Sequence, residues 1–505
     1  VAYFQAHKYP AFLALTRIKV MSTTTTGVSR RTVIKALGSA PLLAAASGPV
    51  RALNKTDVIV IGAGLSGLNA ALLLQAGGLN VTVLEGRGRV GGRVKSLRNI
   101  PGNPEVGGTA FAPGYARLVD AANKYGVGLI DITPTIPYFF SRQIVLDNQF
   151  IAPEDWPASP LNPFPEKFKE TPPYAYFNIL MGAINPLTTA DAWLKPENAK
   201  YDISLHDWLR QSGQSEEVIR MAYDINPTHG MSAYDVSALM VMFAGVFGGM
   251  QRQLTANNPV KGYTAKGGNQ AIPEAMANAL KNEVQLNTAV VGIRSNPDGV
   301  EVHCADGTVH RAAQVISSLP CSVLRRIKID PIMTGAQDKA VRTLNSQVIN
   351  QVHIVPKTPF WEKDGLNPNM YTDSLAGMVI AEHKAANPAD ISSLTVWLRG
   401  ERAAWADQVD TQVAINAVVA DLERMRPAAK GQLEVLGYKS WYRDPFSSGD
   451  WAVYAPGQVT GLMADIANPH GRIHFCGEHT AVANRGMEGA MESGERVALE
   501  VFGVV

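Results

Sequence analysis

An α/β fold is predicted by three observations. Short apolar runs of strand length alternate with helical stretches, a glycine-rich turn joins the first such run to the first helix, and 505 residues exceed what a single hydrophobic core organises. The composition agrees, with 46% hydrophobic and 18% charged residues, the balance of a folded globular chain and not of a disordered one. A net charge of +2 without a dense basic block excludes a nucleic-acid groove. The three cysteines, Cys304, Cys321 and Cys476, are too far apart for a metal cluster or a disulfide framework and read as buried single thiols.

The glycine turn opens the argument. Asp57-Val58-Ile59-Val60-Ile61 is an apolar run suited to a parallel strand covered on both faces. Gly62-Ala63-Gly64-Leu65-Ser66-Gly67 follows, then a helical stretch over 68–76, and then a second apolar run, Val81 to Leu84, that ends in Glu85. This is the dinucleotide fingerprint in its required context. Gly62 permits the tight turn, Gly64 lets the backbone approach a pyrophosphate, and Gly67 lets helix and strand pack closely. The start of the helix, with Ser66 in its first turn, turns unpaired N–H groups toward the phosphates. Glu85 is placed to accept hydrogen bonds from an adenosine ribose. Gly86-Arg87-Gly88-Arg89-Val90-Gly91-Gly92-Arg93 extends the surface, with glycines for close approach and arginines for charge-assisted contacts.

From Glu85 onward the sequence resembles the flavin-containing amine oxidase family, which includes monoamine, polyamine and L-amino acid oxidases. That family runs Glu-x-x-x-Arg-x-Gly-Gly-Arg here, filled by Glu85, Arg89, Gly91, Gly92 and Arg93. Glu105-Val106-Gly107-Gly108-Thr109 resembles its next element, a turn passing close to the flavin. His474 to Thr480 and Gly486 to Ala490 match its closing motif. The resemblance implies non-covalent FAD, with the backbone around Val290 at the adenine, Gly477 and Glu478 at the ribityl or phosphate region, and the helix starting at Gly486-Met487 aimed at the flavin. An ordinary helix cap is the competing reading of Glu488 and the preferred one for Glu492.

The cofactor segments are expected at 54–117, 260–330 and 465–505. They form a Rossmann-like FAD-binding domain assembled from discontinuous pieces. Residues 118–259 and 331–464 form an interleaved substrate domain of mixed sheet and helices. Within these, strands are expected over 284–291, 299–304, 348–355 and 435–441, and helices over 204–212, 215–223, 233–244, 272–280 and 410–425. The proline-rich stretch 153–173 reads as irregular.

The resemblance also implies an active site. Two aromatic rings line the path of the amine in this family; Trp451 falls at the first position, and Gly486 stands where the second belongs. A cage with one wall admits a bulkier or differently charged substrate. Asp450 replaces the cysteine through which monoamine oxidases attach FAD. The lysine that faces flavin N5 in the family is replaced by Gln351, or by Asn350 if the alignment gap lies elsewhere. His229, His353, Tyr174, Tyr176 and Phe177 are further candidates, each with a structural alternative. The leading expectation is oxidation of a small amine to an imine, with oxygen or another acceptor reoxidising the flavin. A flavin-dependent desaturase or dehydrogenase acting on a C–C bond is the alternative. No stretch identifies an interface between copies, and a dimer is compatible with a chain of this size.

The amino terminus has a separate logic. Ser29-Arg30-Arg31-Thr32-Val33-Ile34-Lys35 precedes an Ala-rich apolar run over 36–46, the order of an export signal of the bacterial twin-arginine type. A functional signal implies the periplasm, and otherwise the cytoplasm. Met21 is a candidate start.

Overall fold

The computed structural model describes residues 56–383 and 387–504; the twin-arginine segment and Met21 lie outside them. At the centre of the cofactor-binding layer is a four-stranded parallel sheet, in the order Val81–Leu84, Val58–Ile61, Gln314–Ser317, Ile473–Phe475. Strands from widely separated parts of the sequence thus lie side by side, with Val58 opposite both Val81 and Gln314 and Val315 opposite Ile473. Val58–Ile61 is buried along its whole length, as a parallel strand with both faces covered must be. Two helices, Leu65–Ala76 and Gly486–Val501, cross against one another beside this sheet. Gly494 makes the crossing possible: a Cβ there would lie 2.4 Å from the Ser66 carbonyl oxygen. Asn69 Nδ2 ties the pair by donating to the Met491 carbonyl at 2.7 Å.

A second four-stranded sheet (Val309–Ala312, Gly299–Cys304, Val290–Asn296, Lys328–Asp330) follows the helix Ala271–Asn278. The strand expected over 284–291 begins at Val290 instead. Gln285 makes only a single bridge to Leu84, and Asn287 turns the chain into the left-handed region (φ 56°), which no extended strand tolerates.

The largest sheet has seven strands, in the order Leu433–Ser440, Ile349–Pro356, Ile391–Arg399, Met378–His383, Met370–Thr372, Gln143–Leu146, Gln149–Ile151. Side chains alternate between its faces. Val352, Ile354, Val396, Leu398 and Val379 point one way and form a core with Ala414, Val418 and Leu422 of the helix Thr411–Met425. The register then sends Gln351, His353, Thr395, Trp397 and Arg399 to the opposite face. That face is polar yet enclosed, with Gln351, His353 and Thr395 all at 0% exposure. A polar face that water does not reach marks where a ligand belongs.

A helical layer, including Pro173–Ile184, Leu205–Gln211 and Ala238–Thr255, completes this part. The helix expected over 233–244 runs instead from Ala238 to Thr255. Ser237 caps its start by accepting from Met240 N, and Gly245, Gly248 and Gly249 continue the helix instead of ending it. Between 215 and 223 only Glu216–Ile219 is α-helical, followed by a π-helical turn over Arg220–Asp224. Among the described residues, no helix is long and apolar enough to cross a membrane, and no group of acidic, histidine or cysteine side chains is placed to hold a metal.

The helix crossing yields a direct test. Gly494→Val forces the two helices apart and should lower stability by about 1–3 kcal/mol, the range for overpacking, as measured by chemical denaturation.

Candidate active site

The glycine turn is held by a single buried carboxylate. Glu85, 4% exposed, accepts from Ala63 N at 2.9 Å and from Arg87 N at 2.9 Å. One side chain thereby joins the Gly62–Gly67 turn to the arginine loop. Gly62 adopts φ 100°, a conformation favouring glycine, and a Cβ on Gly67 would lie 2.1 Å from the Gly62 carbonyl. Gly92, also at positive φ, approaches so closely that its Cβ would lie 3.3 Å from Gly64 Cα. Helix Leu65–Ala76 starts at Gly64 with no capping side chain and no acid in its first turn, so its leading N–H groups are left for a ligand. Glycine turn, open helix start and arginine loop together fit the pyrophosphate of FAD.

The arginines of the loop divide their work. Arg87 donates to Asp444 (2.7 Å) and Ser447 (2.6 Å) and lies over the Phe446 ring, so it fastens the loop to the segment leading to Trp451. Arg89 folds back onto the Val90, Gly92 and Val94 carbonyls, and burial lowers its pKa to about 10. Arg93 donates to the Asp450 carbonyl at 2.5 Å and pairs with Glu478 at 3.4 Å. Glu478 also accepts from Ala452 N, which sets it beside Trp451. Gly477 begins the short turn carrying Glu478, and its N–H donates to Ser493 Oγ of the last helix at 2.9 Å. Gly86 packs against the Phe446 ring, and Val290 lies two residues after Thr288, whose N–H donates to the Glu85 carbonyl.

The turn Glu105–Thr109 is organised by Asn269. Its Nδ2 donates to the Gly108 and Thr109 carbonyls at 2.6 and 3.2 Å, while its N–H donates to Glu105 at 2.6 Å. Gly107 lies against Trp441, whose indole N–H donates to the Val106 carbonyl, and Gly108 lies against the Met487 sulfur. Asn269 was within reach of sequence reasoning, since it follows two consecutive glycines, both at positive φ. Glu488 accepts from Arg117 N and Leu118 N, and Glu492 accepts from Val482 N and Ala483 N. Both acids therefore cap neighbouring backbone.

Trp451 meets the polar face of the large sheet. The Arg399 guanidinium lies 6.0 Å from its ring centroid, and His229 stands edge-on at 5.8 Å. The indole N–H of Trp451 and the Nδ1 of His229 are buried without a protein partner among the described residues. Gln347 binds the pieces: its N–H donates to the Trp451 carbonyl, its carbonyl accepts from Asp450 N, and its side-chain amide donates to the Gly230 carbonyl at 2.9 Å. Tyr223 fixes the same loop by donating to the His229 carbonyl at 2.6 Å. Neither tyrosine nor glutamine carries a motif that would have singled it out.

The sheet register decides between Gln351 and Asn350. Asn350 faces the helices, donating to the Ala403 carbonyl and to Asp407. Gln351 faces the enclosed polar side, and both its amide atoms are without protein partners among the described residues. His353 shares that face, bonded to Thr395 Oγ1 at 3.2 Å; burial and then Lys95 push its pKa down to about 4. Gly486 opens the last helix in the left-handed region (φ 56°), and a Cβ there would meet nothing within 4 Å. Position 486 therefore presents no side chain to its surroundings. Tyr176 lies away from the site, stacked on Phe164 at 3.8 Å in the helical core.

Burial disfavours charge on the histidine and the aspartate beside Trp451. Burial, together with Arg485 and Arg399, holds the His229 imidazole well below its usual range and so neutral. Burial raises Asp450 to about 7 despite Arg93.

A parallel-sheet dinucleotide fold facing an enclosed polar sheet, with a tryptophan where the two meet, defines a flavin-binding oxidoreductase. Residues 65–502 match the family model for flavin containing amine oxidoreductases, and the chain belongs to that family. It is 27% identical over 477 residues to a flavin-containing amine oxidase of Danio rerio, covering 89% of this chain and 86% of that one. It is 26% identical over 482 residues to an L-amino-acid oxidase of Demansia vestigiata, covering 90% and 89%. Putrescine oxidase bound to putrescine superposes with a TM-score of 0.72 at 24% identity, covering 89% of this chain and 99% of that one. Cyclohexylamine oxidase from Brevibacterium oxydans also gives 0.72, at 21% identity and the same coverage. These structural likenesses establish the fold.

Two predictions follow from the geometry. Gly67→Ala drives a Cβ into the Gly62 carbonyl and should weaken FAD affinity by about ten-fold or more, read from the flavin retained per chain after dialysis. Burial raises the Glu105 carboxyl from its ordinary 4.5 to about 8, against opposing hydrogen bonds from Asn269 and Ser96. The folded state then holds this proton more tightly than the unfolded chain, so stability declines as pH rises from about 4.5 to about 8. Glu105→Gln, neutral throughout, should flatten the Tm-against-pH curve across that window.

Proposed function

We propose that this protein oxidises an amine to an imine, which water then hydrolyses to an aldehyde or ketone. Membership of the family supports this reading, and the observation that carries it is the site at Trp451, where the tryptophan meets a histidine held neutral, while Gln351 presents an unpartnered amide on the same face of the sheet as Arg399. Bound non-covalently, FAD would supply the hydride acceptor, with oxygen as the terminal oxidant.

The chain's own residues account for the rest. The Trp451 ring bounds one side of the space above the sheet, which orients the carbon bearing the amine. As that carbon loses its hydride, the nitrogen lone pair becomes the second C–N bond, so the amine must arrive unprotonated. His229, neutral and with a free Nδ1, can accept a hydrogen bond there without adding charge. Gln351 offers both a donor and an acceptor in an enclosed site and can fix a water or the substrate nitrogen. Asp450, whose backbone is held by Arg93 and Gln347, occupies the place of a cysteine tether, and the three cysteines are all buried.

The test is anaerobic mixing of the purified holoprotein with primary, secondary and cyclic amines, followed by flavin absorbance. Bleaching by amines, and return of colour on admitting air, is the expected result. Bleaching by cyclic ketones or other carbon acids, with amines inert, would overturn the reading in favour of C–C desaturation.

A further inference from the structure

The enclosed space beside Trp451 contains more positive charge than an amine oxidation requires. Arg399 ends its strand on the same face of the sheet as Gln351, with its guanidinium 4.9 Å from the Trp397 ring and 6.0 Å from the Trp451 ring. Arg142 comes from the far side of the same sheet, two residues before Ile144, which is opposite Tyr371. It is 7% exposed and lies between aromatic faces, 5.0 Å from Phe139 and 4.9 Å from Tyr174. Neither guanidinium makes an ion pair or hydrogen bond with the protein among the described residues, and the Nε of each is buried without a partner. The two are close enough for Arg142 to depress the Arg399 pKa further, below what burial alone would do.

Compensating charge is scarce. Asp450 is the acid that favours protonated Arg399, but it makes no ion pair with it, and burial holds its own pKa near about 7. The other titratable groups acting on this pair are the phenols Tyr174 and Tyr371 on Arg142 and Tyr223 on Arg399; burial pushes Tyr223 and Tyr371 far above their usual range. A third arginine, Arg485 at the start of the last helix, also has an unpartnered buried nitrogen, and its charge reaches His229 together with that of Arg399. A guanidinium whose Nε is buried without a partner, as in Arg142 and the half-buried Arg399, is costly unless a ligand supplies the anion. An arginine fork matches a carboxylate, with two parallel N–H···O bonds. The aromatic walls around Arg142 exclude water and would strengthen such a pair.

We propose that Arg399 and Arg142 form an anion subsite and that the physiological substrate is an amine that also bears a carboxylate. This rests on the amine-oxidation reading for the reaction, but not for the binding. Arg399, beside Trp451, would engage the carboxylate, and Arg142, further along the sheet, would extend the positive field to the entering acid. Both act as specificity-determining residues; neither takes part in the hydride transfer.

The experiment has two arms. In the first, the wild-type holoprotein is titrated with 3-phenylpropionate and with its neutral isostere 3-phenylpropanamide, following the visible flavin spectrum and Tm. The carboxylate should perturb both at concentrations at least ten-fold lower than the amide, whatever the reaction proves to be. Equal effects of acid and amide, or no effect of either, would overturn the subsite. In the second arm, anaerobic flavin reduction is measured for matched pairs that differ only in a carboxylate: phenylalanine against 2-phenylethylamine, and 6-aminohexanoate against hexylamine. At least one acid should exceed its partner in kcat/KM by ten-fold or more, and Arg399→Gln and Arg142→Gln should each lower that acid-to-amine ratio at least ten-fold. An acid-to-amine ratio near one in the wild type would sink the proposal while leaving amine oxidation intact. Failure of all four compounds to reduce the flavin, with a positive first arm, would instead discard amine oxidation and keep the anion subsite. The binding arm needs no variant, so a misfolded substitution cannot leave the question open.

Discussion

The buried carboxylate of Glu85 is the constraint on which the cofactor-binding end of the molecule depends. It sits at the end of a parallel strand, out of water, and its two oxygens are occupied by backbone N–H groups of different loops. A buried carboxyl group in such a place is tolerated only while those donors are held. The glycine turn and the arginine loop are thereby committed to one mutual geometry. From the arginine loop the constraint passes outward: Arg87 grips Asp444 and Ser447, and Arg93 grips Asp450 and Glu478. A position set at the phosphate end of the fold thus propagates through charge-assisted bonds to the tryptophan at the reactive end.

The second determinant is the two-faced sheet. One side is closed by Glu401–Gln408 and Thr411–Met425 and consists of Val, Ile, Leu and Ala side chains. The other carries Gln351, His353, Thr395 and Arg399 and is enclosed all the same. Among the described residues the Gln351 amide, His353 Nε2 and Arg399 Nε are buried without protein partners, which is uncommon in a folded interior. The chain bears this desolvation where chemistry is to occur, and the apolar face provides the stability that makes it tolerable.

Local signals were legible in the sequence where backbone geometry alone dictates residue type. Gly62 and Gly67 are required by a turn whose atoms leave no room for a Cβ, so they could be read with their roles. Trp451 was found through the pattern around it, and its meeting with His229 and Arg399 then gave it surroundings. Residues that act through tertiary pairing were hidden. Arg142 and Arg399 are more than two hundred and fifty positions apart and come together only because intervening strands set them on one sheet. Gln351 and Asn350 could be separated only by register, since a slip of one residue exchanges the faces. The helix Ala238–Thr255 runs past the expected end at 244 and through its three glycines, with Gly245 against Asn185, which donates to the Met242 carbonyl.

Gln347 gives the site a mechanical character. Its backbone is stitched to Asp450 and Trp451, and its amide holds the loop of His229. Wall and loop are therefore not independent parts that could breathe separately. Any swing that opened the histidine side would drag on the tryptophan, and a rigid tryptophan would restrain the loop in turn. With Tyr223 holding the His229 backbone from the other side, the loop is fastened at two points, and the tryptophan and histidine are set as one unit.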